Sequence, residues 1–437
     1  MQFFFKIIIL FFIVFNFRVP IFYDSAIVSI LLSALYYLFK RKSLPFTYFF
    51  QRYNAIILIG TVVLAFIVFL IAFLHHTEVM SGVEKRILIE FMMLCSIVFA
   101  LPLLIEGKES TVWKELATIV CYAYALQGLI SLAGYLYAPL GDFLFEMKPE
   151  DVKEAVMNPA ANLDKFRLYN LSGIYFVELS AAFGITFIVF FWLQLKPDHL
   201  YMSGWKKYAV FIFIFLGNIF SGRTGFIGLL IGLAGWLLFS YYKVFTFLKS
   251  SIWYIIGFSL IILFAYNSLL SGKQRQSFND EVFPFAFEWY YNYVDYGRFE
   301  VNSADVTMQQ HYYYLYDETL LKGTGISPFG GNHPLYPHSD AGYTIDLVYG
   351  GIPFLICLII YQSLYTIRPI VVAQRNNSRN NRIDSIFFII LFLYAFIVEI
   401  KTPTLGSLHV MEVIYLALGS GYIMQYYSQK NENELAE

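Results

Sequence analysis

Residues 56–74 read IILIGTVVLAFIVFLIAFL, an apolar run with no charged side chain. As an α-helix such a run is about 30 Å long, the thickness of a bilayer's hydrocarbon core. A membrane β-barrel would instead show alternating apolar and polar residues in segments of about 10. Similar runs recur along the chain, in which 58% of residues are hydrophobic and only 14% charged. That composition exceeds what a soluble core can bury and defines an all-α polytopic integral membrane protein. We place about twelve spans near 2–17, 23–39, 55–74, 87–105, 117–137, 173–195, 208–221, 225–242, 251–270, 341–362, 384–400 and 408–426. The first run carries Lys6 and is followed by no small-residue cleavage site, so it reads as a retained span.

The formal net charge of −1 points to neither nucleic acid nor an acidic partner. Cys95, Cys121 and Cys357 all fall inside apolar runs and read as fillers rather than disulfide or metal partners. No internal repeat is visible. Orientation follows from the basic residues. With the amino terminus in the cytoplasm, the inner connectors carry Lys40, Arg41, Lys42, Arg52, Lys108, Lys114, Lys196, Lys206, Lys207, Lys243, Lys249, Arg368, Arg375, Arg379 and Arg382, and both termini are cytoplasmic. The chain then divides into helices 1–9 over 1–270, with an outer loop near 138–172. A large outer loop over 271–340 precedes the tenth helix, and helices 10–12 with a tail occupy 341–437.

The polar, tyrosine-rich stretch from about 267 to 340 is too long to be a mere connector. Three arginines fall on the same outer side. Arg223 sits in Ser221-Gly222-Arg223-Thr224-Gly225, a turn whose small residues admit a ligand to the main chain, and a guanidinium there suits phosphate oxygens. The alternative is an arginine that snorkels to lipid headgroups. Arg167 stands before Ser172-Gly173 and reads equally as an interface anchor. Arg298, three residues after Asp295, could instead tie the loop together. His338 and Asp340 suit proton chemistry, because a carboxylate can orient an imidazole or hold its cation, while Asp340 also suits a cap for the span that follows. His333 and His311 are alternatives.

Tyr290, Tyr291, Tyr293, Tyr313 and Tyr343 offer flat faces with hydroxyl tips, suited to stacking on sugars, although tyrosine also gathers at membrane interfaces. The loop histidines lack a partner at zinc-ligand spacing, no Asp-x-Asp pattern occurs, and no Walker-type glycine loop is present, so neither a metal nor a nucleotide cofactor is expected. Glu90, Glu178, Asp346, Glu399 and Glu412 lie in apolar runs, where they serve helix-to-helix hydrogen bonds or a transport path.

Taken in order, the outer arginine before Ser172-Gly173, the Ser-Gly-Arg-Thr-Gly hairpin, Gly323-Thr324-Gly325, His338-Ser339-Asp340-Ala341-Gly342-Tyr343 and Gly350-Gly351-Ile352 resemble the Wzy family of bacterial repeat-unit polymerases and the related O-antigen ligases. Each motif is short, and their order carries the resemblance over nearly the whole chain. It implies a GT-C-like membrane glycosyltransferase of the bacterial inner membrane, independent of metal. Its substrates would be undecaprenyl-pyrophosphate-linked oligosaccharides, polymerised into O-antigen, capsule or exopolysaccharide on the periplasmic face, with a chain-length regulator as a candidate partner. Under the resemblance Arg167 and Arg223, with Arg298, hold the donor pyrophosphate, and His338 deprotonates or orients the acceptor hydroxyl with support from Asp340. A ligase acting on lipid A core and a lipid-linked oligosaccharide flippase are the rival readings.

Overall fold

The computed structural model describes residues 2–19, 24–40, 42, 46–77, 83–106, 111–148, 153, 165–173, 176–196, 202–240, 266–268, 270–298, 307–329, 333–375, 379–405 and 409–436. Every regular element among them is helical. The helices that matter below are α1 (Gln2–Phe15), α2 (Ser25–Phe39), α3 (Arg52–Leu74), α4 (Val83–Leu104), α5 (Val112–Leu136), α6 (Ala138–Glu146), α7 (Phe176–Gln194), α8 (Trp205–Ser221), α9 (Gly225–Ser240), α10 (Gly272–Ser277), α11 (Glu288–Tyr296), α12 (Asp317–Lys322), α13 (Gly342–Arg375), α14 (Arg379–Glu399) and α15 (His409–Ala436). Five of them, α3, α4, α5, α7 and α13, are long and apolar enough to cross a membrane. The ninth expected span falls mostly on 251–265, outside the described residues.

Two compact units share the chain. One comprises Met1–Val14, Ala26–Leu116 and Asn302–Glu437; the other comprises Phe15–Ser25 and Ala117–Val301. In the first unit α13 packs on α3, α12 and α14, and α15 on α4. Polar side chains join these helices where lipid offers no hydrogen bond. Tyr361 and Tyr365 donate to the buried Glu90 carboxylate, Tyr361 also meets Thr61 at 2.8 Å, and Tyr53 donates to the Tyr365 carbonyl at 2.6 Å. Glu399 accepts from the Thr404 and Leu405 amides at 2.6 and 2.7 Å. The buried Glu90 thus serves as a tie between helices and Glu399 as a tie within a turn.

In the second unit α7 is nearly enclosed, with 94% of its apolar window buried, against 33% for α3. Glycines permit the close approach of α9 to α7: a Cβ at Gly228 would lie 2.2 Å from the Gly184 carbonyl oxygen. This small-residue packing replaces the hydrophobic driving force that is absent between helices in lipid.

The long segment after residue 266 is largely helical rather than an irregular loop. Ser271 caps α10 in a reciprocal capping box with Gln274. Gln274 also donates to the Tyr135 and Leu136 carbonyls at 3.0 and 3.1 Å, satisfying the open end of α5. Leu270, Val282 and Ala286 then bury against Tyr135, Phe166 and Phe220. Apolar residues within a polar stretch therefore fasten its first half to the helices.

Helix α13 is interrupted. Gly351 has φ 70° and ψ −171°, outside helical geometry, and frees carbonyls of the preceding turn. The Gly323-Thr324-Gly325 segment wedges into the break. Its Thr324 amide donates to the Val348 carbonyl at 2.8 Å, the Gly325 amide to the Tyr349 carbonyl at 2.9 Å, and the Thr324 hydroxyl to Val348 at 2.9 Å. Backbone polar groups inside a bilayer must find such partners. The two glycine motifs read in the sequence are the two halves of this joint.

Candidate functional site

The Ser221–Gly225 turn is held from beneath. The Ser180 hydroxyl donates to Asn218 Oδ1 at 3.0 Å and accepts the Gly225 amide at 2.9 Å, which fixes the start of α9 against α7. Arg223 projects from this turn. Arg167 arrives from the short 3-10 turn Lys165–Leu168, and its Nε and Nη2 both donate to the Ser221 carbonyl at 3.3 Å. A Cβ at Gly222 would stand 3.1 Å from Ser180 Cβ, so glycine lets the turn pack closely on α7.

Phe285 brings the two arginines together. The Arg167 and Arg223 guanidinium carbons lie 4.8 and 4.6 Å from the centre of its ring, and Arg167 also lies 4.7 Å from the Phe176 ring. Cation–π contact of this kind orients a guanidinium. Glu288 pairs with Arg223 Nη1, so one carboxylate shares a site with two guanidinium groups. The amino end of α9 adds its own partial positive charge to the same turn. An anion with several oxygens fits such donors.

Beside Glu288, α11 carries the expected tyrosines. Trp289, Tyr290 and Tyr293 are each about half exposed, and Trp289, Tyr290 and Tyr291 meet edge to face. Arg298 follows the α11 cap at Gly297 and is exposed.

The histidine cluster belongs to the other unit. His338 Nε2 lies 2.9 Å from Asp340 Oδ1, and His311 Nε2 lies 3.8 Å from Asp340 Oδ2. The Asp340 amide donates to His311 Nδ1 at 3.1 Å, and Ser339 Oγ donates to the His311 carbonyl at 3.0 Å. Ser339 also accepts the Ala341 amide at 3.2 Å. The first amide before α13 is therefore met by Ser339, and the Asp340 carboxylate turns to the imidazoles.

His338 is held above the usual histidine range, chiefly by its hydrogen bond to Asp340; burial opposes this, and the Asp340 charge and the Pro328 carbonyl add to it. The ring thus faces oxygen acceptors from two residues, an environment that suits the imidazolium. For Asp340, burial pushes upward, but His338, His311 and Lys401 outweigh it and hold the carboxyl below its ordinary value. The carboxylate remains about half exposed at 52%. His338 is comparably exposed at 43%.

His333 has a different task. Its Nδ1 accepts the Leu335 and Tyr336 amides, both at 3.0 Å, and its Nε2 meets the Thr324 hydroxyl at 2.9 Å. Burial lowers its pKa, and the neutral ring staples the loop to the wedge. Tyr313 and Tyr343 spend their hydroxyls on the Pro337 and Phe396 carbonyls at 3.0 and 3.1 Å.

Two participants, Phe285 and Glu288, carry no signal in a sequence with 46 phenylalanines and 31 acidic residues. Among the described residues the fold is all-helical, with five helices apolar enough to span a bilayer, and it carries a paired-arginine turn and a two-histidine carboxylate cluster. No protein-family model matches this chain, and no curated protein is similar to it.

Proposed function

We propose that this protein is a membrane glycosyltransferase that polymerises undecaprenyl-pyrophosphate-linked oligosaccharides into a surface polysaccharide. The observation that carries the reading is the meeting of Arg167 and Arg223 on one Phe285 ring at the start of α9. A sugar leaving group of two phosphates needs its growing negative charge stabilised, and two preorganised guanidinium groups with a helix amino end supply that. The reading takes the chain as a GT-C-like protein of about twelve spans in the inner membrane, with both termini cytoplasmic and both sites on the periplasmic face.

In this reading Arg167 and Arg223 bind the donor pyrophosphate, Arg298 contacts it from the end of α11, and the exposed α11 aromatics stack on the glycan. Asp340 accepts the proton of the attacking sugar hydroxyl. His338 and His311 hold that carboxylate, which exchanges the roles that the sequence resemblance implies for His338 and Asp340. The acceptor oxygen attacks the donor's anomeric carbon, the bond to pyrophosphate breaks, and the lipid pyrophosphate departs with the bond's electron pair. Two lipid anchors keep donor and acceptor on one surface and raise their effective concentration.

The interrupted α13 favours a second reading, a lipid-linked oligosaccharide flippase or other transporter, since broken helices line many transport paths. An O-antigen ligase would share the donor site. Complementing a deletion strain with wild type or Arg223→Ala and resolving the surface polysaccharide on a gel separates the three. Core plus one repeat unit in the deletion and the variant, with a ladder restored by wild type, supports the polymerase. Loss of even the single-unit band points to a ligase or flippase, and an unchanged ladder in the deletion overturns the reading.

A further inference from the structure

Lys148 is 2% exposed, yet among the described residues its hydrogen-bond partners are two neutral oxygens, Asn170 Oδ1 and the Ser172 carbonyl, the latter at 2.8 Å. An ammonium taken out of water without a carboxylate is costly and calls for compensation. Asn170 is itself buried and turns its amide the other way, with Nδ2 donating to the Arg167 carbonyl at 2.7 Å. Asn170 therefore links the lysine to the residue that stacks on Phe285. The link joins the end of α6, the Arg167 turn and, through the Arg167 guanidinium, the Ser221 carbonyl at the α8–α9 hairpin.

We propose that Lys148 is a positioning residue for the anion site, fixing Arg167 through Asn170, and that a bound pyrophosphate group supplies the negative charge its buried ammonium lacks. The inference rests on the pyrophosphate reading above. Burial alone draws the Lys148 pKa down to about 7. Among the described residues the charged groups on the elements around it are Asp142 and Glu146 on α6, Lys153 paired with Glu146 at 3.2 Å, and Arg167. Arg18 and Asp24 lie on the stretch whose Phe15 carbonyl accepts the Gly173 amide. None of these offsets the burial of Lys148. Without an anion the lysine is about half charged near neutral pH. An anion at Arg167 favours the charged form, so binding takes up a proton and weakens as the pH rises above that range.

The test titrates inorganic pyrophosphate calorimetrically into the purified full-length protein in detergent at pH 6 and pH 8.5. The proteins compared are wild type, Lys148→Met, Asn170→Ala and the double variant Arg167→Ala/Arg223→Ala. Ionisation of the probe is common to all, so differences between proteins isolate the lysine. Wild type should lose at least about tenfold more affinity between the two pH values than Lys148→Met, a difference of about 1.4 kcal/mol. Asn170→Ala should weaken binding at both. Equal affinities and equal pH ratios for wild type and Lys148→Met, with binding lost in the double variant, would overturn the inference and leave the pyrophosphate reading standing. No binding by wild type would remove both. Should Lys148→Met fail to fold, Lys148→Arg decides: its charge persists at pH 8.5, so it should lose at least about tenfold less affinity between the two values than wild type does. A full wild-type pH dependence in that variant would also refute the role.

Discussion

Replacing Gly323 by alanine tests the joint between the Gly-Thr-Gly wedge and the broken helix. Gly323 has φ 72° and ψ −169°, a region that only glycine occupies without strain, and an alanine there costs about 1–3 kcal/mol in the backbone alone. Its Cβ would stand 2.3 Å from the Tyr349 carbonyl oxygen and 2.4 Å from the Gly350 Cα. Both are main-chain atoms that cannot swing aside, so the wedge must withdraw. Withdrawal strips the Val348 and Tyr349 carbonyls of the Thr324 and Gly325 amides, and each acceptor left buried and unmet costs about 1–3 kcal/mol more. The sum is about 3–9 kcal/mol before any relaxation. Gly297 is the internal control, with φ 69° at the α11 cap but nothing within 4 Å of an added Cβ, so Gly297→Ala should cost only about 1 kcal/mol. Thermal unfolding of both variants in detergent, followed by tryptophan fluorescence, should show a midpoint drop several times larger for Gly323→Ala. Gly351→Ala should behave like Gly323→Ala, and the pair should be strongly non-additive because either change expels the same wedge. Equal shifts for Gly323→Ala and Gly297→Ala, or additive effects at 323 and 351, would refute the wedge as a structural joint.

Arg223→Lys should fail to restore the polysaccharide ladder, because an ammonium neither stacks flat on Phe285 nor presents a two-pronged donor to phosphate; restoration would show that charge alone suffices. Phe285→Ala should weaken inorganic pyrophosphate binding by about tenfold while leaving both arginines in the chain, since it removes two cation–π contacts worth about 0.5–1 kcal/mol each. The His338–Asp340 pair should make stability depend weakly on pH. The raised His338 pKa gives a contribution that is full below 6.5 and fades as pH rises through the higher folded value, and the lowered Asp340 pKa gives one that is present above 3.8 and fades in acid. At the exposure of these side chains the gain is below about 1 kcal/mol, so the melting-temperature advantage of wild type over Asp340→Asn should shrink between about pH 6.5 and 8.5, and a difference that stays constant across that range would remove the pair as a pH-dependent source of stability.

The positions of the helices were legible because apolar runs of span length are unmistakable, and α3 covers the run that opens the reading. Which way a helix faces was not. Ile57, Leu64, Val68 and Ala72 are buried while Ile59, Val62, Phe66 and Phe73 are exposed, yet the two faces are equally apolar and leave no periodic contrast. The candidate site divides in the same way. Arg167, Arg223, His338 and Asp340 stood out because charged and titratable groups are scarce. Their partners did not, because Phe285 is one aromatic among many and Lys148 resembles any loop lysine until its burial is known. The helical character of the long segment was hidden for another reason. Its helices are short and fastened by capping and by scattered apolar contacts, which produce no long-range pattern.

The break in α13 bears on the choice between enzyme and transporter. Transporters use the carbonyls freed at such breaks to hold ions or substrate. Here the Val348 and Tyr349 carbonyls are taken by amides of the Gly-Thr-Gly wedge, and Glu399 is tied to the following turn. From the wedge a chain of fixed contacts leads outward. The Thr324 hydroxyl meets His333, whose other ring nitrogen holds the Leu335 and Tyr336 amides. The Tyr336 ring stacks on Tyr313 at 5.7 Å, and the Tyr313 hydroxyl donates to the carbonyl of Pro337, the residue before His338. A break filled by backbone and continued by such contacts is an anchor rather than a path. It holds the His338–Asp340 segment on α13, the rigid mounting that the proposed proton transfer would need.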